Sequence, residues 1–204
     1  MTPRSLSIVL AALLCSALAN AQQSGIGVLG GAMASTTRSE ARQYNIVPGG
    51  LAGLYFPLGL GTRFELQPEL TAAFMGSSHQ VQGSEFRVVD RSMYLQLPIM
   101  VKFFLTNAVN LQIGPQAGML IGSWMSYEGE QTETTDDRNP YDFGVSMGLG
   151  VDFRSGIDLG VRYYNGLSAV LAQDDELYPR NRSAQLTVGY RFLQFKKSYA
   201  KRRG

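Results

Sequence analysis

Cysteine, histidine and tryptophan are scarce in this chain, and their scarcity excludes several kinds of site. Each of the three occurs once in 204 residues. The single cysteine, Cys15, lies inside an N-terminal apolar segment, so the remainder of the chain has no disulfide and no cysteine-ligated metal. The sequence also lacks a zinc motif, a phosphate-binding loop and a dinucleotide fingerprint. We therefore predict no metal and no cofactor.

Long apolar runs are also missing after the first residues. Residues 1–21 combine Arg4, an apolar segment from Leu6 to Ala19 and a small-x-small site that ends at Ala21. This pattern predicts a secretory signal peptide cut after Ala21. A membrane anchor is the alternative, but the segment is shorter than the roughly 20 residues that a helical span needs.

Positive charge is scarce on the body of the chain. The formal net charge is +2, and the last nine residues include Lys196, Lys197, Lys201, Arg202 and Arg203. A nucleic-acid-binding protein would carry its positive charge on the folded surface rather than on a tail. We therefore predict that nucleic acid is not a partner.

The chain is rich, by contrast, in strict alternation of residue type. Apolar side chains occupy odd positions in 141–153 and in 157–163, and even positions in 184–192, while small or polar residues occupy the positions between them. Successive side chains of a strand point to opposite faces, so each segment has one apolar and one polar face. Because the polar faces carry charges, the pattern fits a sheet with lipid outside and a wet or ion-paired interior.

Eight such segments, joined by connections that alternate between long and short, predict a barrel. They are approximately 25–35, 47–58, 62–75, 91–105, 109–124, 141–153, 157–164 and 183–192. Short periplasmic turns and long outer loops are typical of bacterial outer-membrane barrels. We predict an all-β, eight-stranded antiparallel up-and-down transmembrane β-barrel. A soluble barrel is the competing fold. The predicted divisions are the signal peptide 1–21, the barrel 22–195 and a basic C-terminal tail 196–204.

Three prolines lie inside these predicted strands. Pro68, Pro98 and Pro115 each lack the N–H that a strand ladder uses, and a closed barrel has no edge where that loss would be harmless. We expect β-bulges near these positions to accommodate the prolines.

Several short motifs, taken in order, resemble a known family. They are Leu66–Leu70, Tyr94–Lys102, Ile113–Gly118, Asp142–Gly150, Val161–Leu167 and Gly189–Phe192. Their order and spacing resemble the eight-stranded outer-membrane barrels of Bacteroidota often called PorT-like. The resemblance implies prolines at these strand positions and a role linked to secretion machinery. It also implies that Tyr190 and Phe192 form the terminal signal for barrel assembly machinery, although 193–204 continue beyond the expected strand end.

Charged residues on the inward parity are the first candidates for a site. Four basic and four acidic side chains share it: Arg63, Lys102, Arg162 and Arg191 against Glu65, Glu69, Asp152 and Asp158. Eight strands leave an interior just wide enough for side chains. We therefore predict a paired charge network that fills the barrel. A gated narrow channel is the alternative.

The predicted outer loops carry the remaining candidates. His79 lies near Ser77, Ser78 and Asp90, which raises the alternative of a lipid-modifying enzyme at the outer rim, although one loop does not position a triad. Two loops are acidic, through Glu128, Glu130, Glu133, Asp136 and Asp137 in one and Asp174, Asp175 and Glu176 in the other. Their spacing matches no ordered calcium loop, so we expect solvated carboxylates.

Taken together, these patterns predict a structural or partner-binding protein of the outer membrane. A narrow pore for ions or small solutes is the first alternative, and a lipid-modifying enzyme is the second. The expected partners are outer-membrane lipid, the barrel assembly machinery and a periplasmic or secretion-system protein.

Overall fold

The computed structural model describes residues 23–39, 43–80, 86–128, 130–171 and 179–196. The predicted signal peptide, the acidic residues Asp174, Asp175 and Glu176, and the basic tail after Lys196 lie outside the described residues. Ten strands are present in the described part: β1 Gln23–Arg38, β2 Asn45–Tyr55, β3 Leu58–Gly59, β4 Phe64–Gln80, β5 Arg87–Phe104, β6 Val109–Tyr127, β7 Glu130–Glu133, β8 Tyr141–Asp152, β9 Ile157–Gly166 and β10 Arg180–Lys196. Among these residues no helix is long and apolar enough to cross a membrane.

Eight of the described strands form a closed ring. Each strand pairs antiparallel with the next in the order β1, β2, β4, β5, β6, β8, β9 and β10, and β10 pairs with β1 to close the ring. The short β3 continues the line of β2 and pairs with β4 and β1. The short β7 folds back on β6 beyond the ring. The predicted eight-stranded antiparallel barrel is therefore confirmed.

The two faces of the wall differ as the alternation predicts. Along β5, Leu97 and Ile99 are exposed on the outside, whereas Gln96, Met100 and Lys102 are buried inside. The same contrast recurs on the other long strands, which together expose a continuous apolar outer surface. Soluble proteins rarely expose large contiguous apolar patches, so this surface faces lipid and the competing soluble barrel is excluded.

Several strands are longer than their apolar alternation suggests. β4 continues to Gln80 and β5 begins at Arg87, with His79 paired to Val88 in the extension. Backbone hydrogen bonds hold this extension, and a backbone ladder does not require an apolar face. The predicted loop 76–90 is accordingly much shorter than expected, and the predicted loop 125–140 contains the β6–β7 hairpin.

The prolines are not accommodated by bulges, and that expectation is wrong. Between β4 and β5 the pairing stops after Pro68 and Ile99, leaves two residues of each strand unpaired, and resumes in the same register at Thr71 and Gln96. A similar gap separates Pro98 from Val101 in the β5–β6 ladder. A gap sacrifices a few hydrogen bonds but keeps every side chain on its proper face, whereas a register slip of one residue would reverse the faces.

The final strand runs past its predicted end. β10 continues to Lys196 because β1 begins at Gln23 and supplies partners for the additional residues. The register of β1 against β10 shifts at Ile26 and Gly27, which pair with Leu193 and Arg191. Phe192 is therefore the extra residue of a bulge in the last strand.

Candidate functional site

Five charged side chains meet inside the barrel, at the end that carries the short turns. Lys102 Nζ lies 2.9 Å from Asp152 Oδ2 and 3.7 Å from Glu65 Oε1. The Arg191 guanidinium lies 3.3 Å from Glu65, 3.4 Å from Asp152 and 3.5 Å from Asp158. We call Glu65, Lys102, Asp152, Asp158 and Arg191 the lower cluster. Arg191 contacts all three of its carboxylates, and Lys102 contacts two of them.

Two neutral side chains complete the lower cluster. The Tyr55 hydroxyl donates a hydrogen bond to Asp158 Oδ2, and Asn110 Nδ2 donates one of 2.9 Å to Asp152 Oδ1. These donors satisfy carboxylate oxygens where two cations face three carboxylates. Tyr55 occupies space that a glycine leaves open, because a Cβ added at Gly27 would lie 2.2 Å from the Tyr55 ring.

A second ion pair crosses the barrel nearer its middle. Arg162 Nη1 and Nη2 donate to the two oxygens of Glu69 at 2.7 and 2.8 Å, and Arg162 Nε donates to Gln112 Oε1 at 2.8 Å. Gln67 Nε2 donates a further bond of 2.6 Å to Glu69. Only 1% of Glu69 and 7% of Arg162 is exposed, so the charges are desolvated and depend on each other. We call Glu69 and Arg162 the central pair.

Arg63 does not join this network, which corrects the prediction for that residue. It lies in the turn before β4 and is exposed. Within the described residues no ion pair includes it. Gly61, with a φ of 112°, begins this turn, which places Arg63 before the first residue of β4.

The interior is nearly filled around these groups. A cavity of about 20 Å³, bordered by Tyr55, Lys102 and Arg162, lies between the lower cluster and the central pair. This is close to the space of one water molecule. Beyond the lower cluster the barrel opens among the short turns into a pocket of about 900 Å³, bordered by Arg63, Arg154 and Arg191. The wide space therefore lies at the mouth, and packed polar side chains occupy the middle.

The rim at the opposite end holds His79. Its Nδ1 atom lies 3.8 Å from Asp90 Oδ2, which is too long for a hydrogen bond. Asp90 instead accepts a bond of 2.8 Å from Arg138 Nη2. Ser78 Oγ accepts a bond of 2.9 Å from Arg87 Nε, and the His79 ring packs edge-on against Tyr44. The nearby serine and aspartate are thus engaged by arginines rather than aligned with the histidine.

The acidic hairpin and the terminal aromatics lie on the outside. Glu130 and Glu133 of β7 are exposed above the ring. Within the described residues no group of three or more histidine, cysteine, aspartate or glutamate side chains has the geometry of a metal site. Tyr190 and Phe192, the predicted assembly signal, are exposed on the outer wall near the short turns.

Sequence reasoning missed the part that Tyr55 plays in the interior. Its position at the end of β2 suggests an interfacial aromatic rather than a core residue. The sequence signal for this role is a pair of glycines, Gly27 of β1 and Gly189 of β10. Because neither has a side chain, the two closing strands leave room for the Tyr55 ring. The polar partners Asn110 and Gln112, by contrast, lie on the inward parity of β6.

One known protein family matches most of this chain. The model of the family described as outer membrane protein beta-barrel domain matches residues 20–172. No curated protein matches the chain. Among solved structures, the attachment invasion locus protein Ail of Yersinia pestis is 14% identical, with a TM-score of 0.45 over 85% of this chain and 99% of Ail.

Two further solved structures are similar to the same extent. Neisserial surface protein A is 14% identical, with a TM-score of 0.47 over 85% of this chain and 98% of that protein. The outer membrane protein OprG of Pseudomonas aeruginosa is 7% identical, with a TM-score of 0.45 over 87% of this chain and 99% of OprG.

Proposed function

The chain belongs to the outer membrane protein beta-barrel domain family, and on that premise we propose a structural or partner-binding barrel whose interior is a plug. The observation that carries this proposal is the central pair. Its two hydrogen bonds join Glu69 to Arg162 across the barrel, and both side chains are almost fully buried. A conducting channel would need mobile, hydrated side chains at this height, whereas a bidentate arginine–carboxylate pair is held rigidly.

Partner binding is assigned to the loop end of the barrel. The β6–β7 hairpin extends the wall beyond the ring and presents Glu130 and Glu133 to solvent. Rigid scaffolds that display variable loops commonly use them for recognition. The resemblance to PorT-like barrels supports the finer proposal of an accessory to secretion machinery in a Gram-negative bacterium. The proposal also includes export by a signal peptide cut after Ala21 and insertion by the barrel assembly machinery.

We further propose that the protein is not an enzyme. Catalysis by a histidine requires a base oriented by a partner and a nucleophile within reach. At the loop end, Asp90 is bonded to Arg138 rather than to His79, and Ser78 is bonded to Arg87. Deacylation of purified lipid A by the refolded protein, lost in His79→Gln, would contradict this part of the proposal.

The plug is tested by single-channel recording of the refolded mature protein in planar bilayers. We expect a folded barrel, shown by a heat-dependent shift on a gel, with no discrete conductance. The informative variant is Glu69→Gln together with Arg162→Gln, which removes both charges and keeps polar side chains. The matched control is Arg63→Gln with Arg154→Gln, at the mouth. Discrete conductance in the wild type that changes only in the central variant would contradict the plug.

A narrow pore is the second candidate because of the pocket of about 900 Å³ at the mouth. Such a space could serve as a vestibule if the central pair separated. Conductance that appears only under voltage and disappears when the pair is cross-linked would favour this candidate over a permanent plug.

Partner binding is tested separately, by photo-crosslinking in cells that produce the protein naturally. A photoreactive residue at Gln131 on the hairpin should capture a defined protein, identified by mass spectrometry. The same residue at Leu97 on the apolar wall serves as the control and should capture lipid alone. Capture that is identical at both positions would contradict a binding role for the hairpin.

A further inference from the structure

Three arginines lie side by side on the outer wall, where β1 and β10 leave the apolar surface. Arg38 of β1 pairs directly with Arg180 of β10, so both point to the same face. Arg182 lies two residues further along β10 and shares that face. The face is the outer one, because Ala184 and Leu186 continue the same parity and are exposed. We call Arg38, Arg180 and Arg182 the arginine patch.

The arginine patch sits at the upper border of the apolar band. On β10 the outward residues from Phe192 to Ala184 are all apolar or aromatic, and the next two are Arg182 and Arg180. Asn165 of β9 pairs with Arg182 and marks the same change from apolar to polar. An apolar band flanked by aromatic and then polar residues places this border at the lipid headgroups. Since the short turns lie at the other end, these headgroups belong to the outer leaflet.

Two members of the arginine patch, Arg38 and Arg182, differ from the arginines of the interior in their partners. Arg162 and Arg191 each bond to carboxylates. Among the ion pairs of the described residues, none joins Arg38 or Arg182 to a carboxylate. Arg182 Nε is shielded from solvent and has no acceptor within the described part of the chain. An N–H group that is shielded from solvent needs an acceptor, so Arg182 favours an anion from outside.

We propose that the arginine patch binds the phosphate groups of a phosphorylated glycolipid in the outer leaflet. A guanidinium group matches a phosphate with two parallel hydrogen bonds, and three adjacent guanidinium groups can hold a doubly charged headgroup. The apolar wall below the patch, from Ala184 to Val188, receives the acyl chains of the same lipid. This inference rests on membership of the outer-membrane family and is independent of whether the interior is a plug.

The test measures lipid binding by native mass spectrometry. The refolded mature protein in one detergent is titrated with hexa-acylated bisphosphoryl lipid A, and in parallel with phosphatidylglycerol. The patch variant carries Arg38→Gln, Arg180→Gln and Arg182→Gln. We expect it to bind lipid A about a hundredfold more weakly than the wild type, since each arginine near a charged surface contributes roughly one factor of five.

The control variant removes the same charge elsewhere. It carries Arg63→Gln and Arg154→Gln at the mouth and Arg91→Gln on the outer face of β5. Arg91 pairs with Trp124 of β6, and β5 lies on the opposite side of the ring from β10. This variant should bind lipid A as the wild type does. Both variants are checked for folding by the heat-dependent gel shift, and single variants Arg38→Gln and Arg182→Gln replace the triple variant should it fail to fold.

Three outcomes would overturn the proposal. Equal affinity of wild type and patch variant would show that the arginines do not hold the lipid. Equal loss in the patch and control variants would reduce the effect to net charge. Binding of phosphatidylglycerol as tight as that of lipid A would remove the glycolipid from the assignment. Conversely, lysine replacements at the three positions that recover only part of the affinity would support recognition by the paired hydrogen bonds of arginine.

Discussion

Glu69 and Arg162 join strands that lie opposite each other in the ring. Glu69 belongs to β4 and Arg162 to β9, and each strand lies four places from the other around the barrel. Their two hydrogen bonds of 2.7 and 2.8 Å therefore span the diameter of the interior. Tyr55 of β2 bonds to Asp158 of β9, three places away through the closing strands β1 and β10. The interior groups thus connect parts of the wall that share no backbone hydrogen bonds.

Breaking the central pair should destabilise the barrel strongly. Glu69→Gln leaves the Arg162 guanidinium buried without its counter-charge, and we expect a loss of about 3–5 kcal/mol in the free energy of unfolding. Replacing both partners by Glu69→Leu and Arg162→Met should recover most of that loss. Urea titration in micelles, followed by the fluorescence of Trp124, provides the measurement. A double variant no more stable than the single one would contradict this prediction.

Removing Arg191 should affect stability more than removing an exposed arginine at the same end. Arg191→Met leaves Lys102 as the remaining cation beside Glu65, Asp152 and Asp158, and we expect a loss of about 3 kcal/mol or more. Arg154→Met, in the short turn nearby, should change stability by less than about 0.5 kcal/mol. The same urea titration checks both variants. Equal stability of the two would indicate that the lower cluster is hydrated rather than paired.

The hydroxyl of Tyr55 should contribute measurably to the lower cluster. Tyr55→Phe removes the bond to Asp158 and keeps the ring, so we expect a loss of about 1–3 kcal/mol, as for a hydrogen bond to a buried charged group. Tyr190→Phe is the matched control, because Tyr190 is 52% exposed on the outer wall. Its stability should equal that of the wild type. The prediction fails if both phenylalanine variants unfold at the same urea concentration.

Two glycines of β1 should respond differently to the same substitution. Gly27→Ala places a methyl group 2.2 Å from the Tyr55 ring, and we expect a loss of about 1–3 kcal/mol from overpacking. Gly30→Ala, three residues along, meets its nearest atom at 3.7 Å and should be close to neutral. Combining Gly27→Ala with Tyr55→Leu should restore part of the lost stability. If the double variant recovers none of it, the Tyr55 ring is not the source of the strain.

The two acidic side chains of the β6–β7 hairpin should be dispensable for folding. Replacing Glu130 and Glu133 by glutamine changes exposed side chains beyond the ring, so we expect a change in stability of less than about 0.5 kcal/mol. The heat-dependent gel shift and urea titration measure it. A large loss would show that the hairpin supports the barrel, and its proposed role in binding would then need to be separated from a structural one.

Much of the fold was accessible from the sequence because lipid outside and polar groups inside impose a strict period of two. This period predicts correctly which face of the strand at 91–105 points outward. The alternation ends where the wall leaves the lipid, so the extensions of β4 to Gln80 and of β10 to Arg180 carry no apolar signal. Backbone pairing alone defines them.

The partners inside the barrel were less accessible. Parity indicates that Arg162 points inward, but its meeting with Glu69 depends on the registers of all the strands between them. Arg63 is a case in which parity fails. The sequence alternation assigns it to the inward face of β4, but it lies in a turn that Gly61 begins. Similarly, Tyr55 belongs to the interior because Gly27 and Gly189 leave room for it across the closing strands.

Two interior bonds join residues that are far apart in the sequence, and both depend on closure of the ring. Arg191 reaches Glu65 over a separation of 126 residues, and Tyr55 reaches Asp158 over 103. Before β10 pairs with β1, the bonds from Arg191 to Glu65 and from Tyr55 to Asp158 are absent, and an incompletely paired charge that faces hydrocarbon is costly. These bonds and ring closure therefore form together, and a half-closed chain lacks both. The interior bonds therefore favour release into the bilayer of a chain whose ring is already closed.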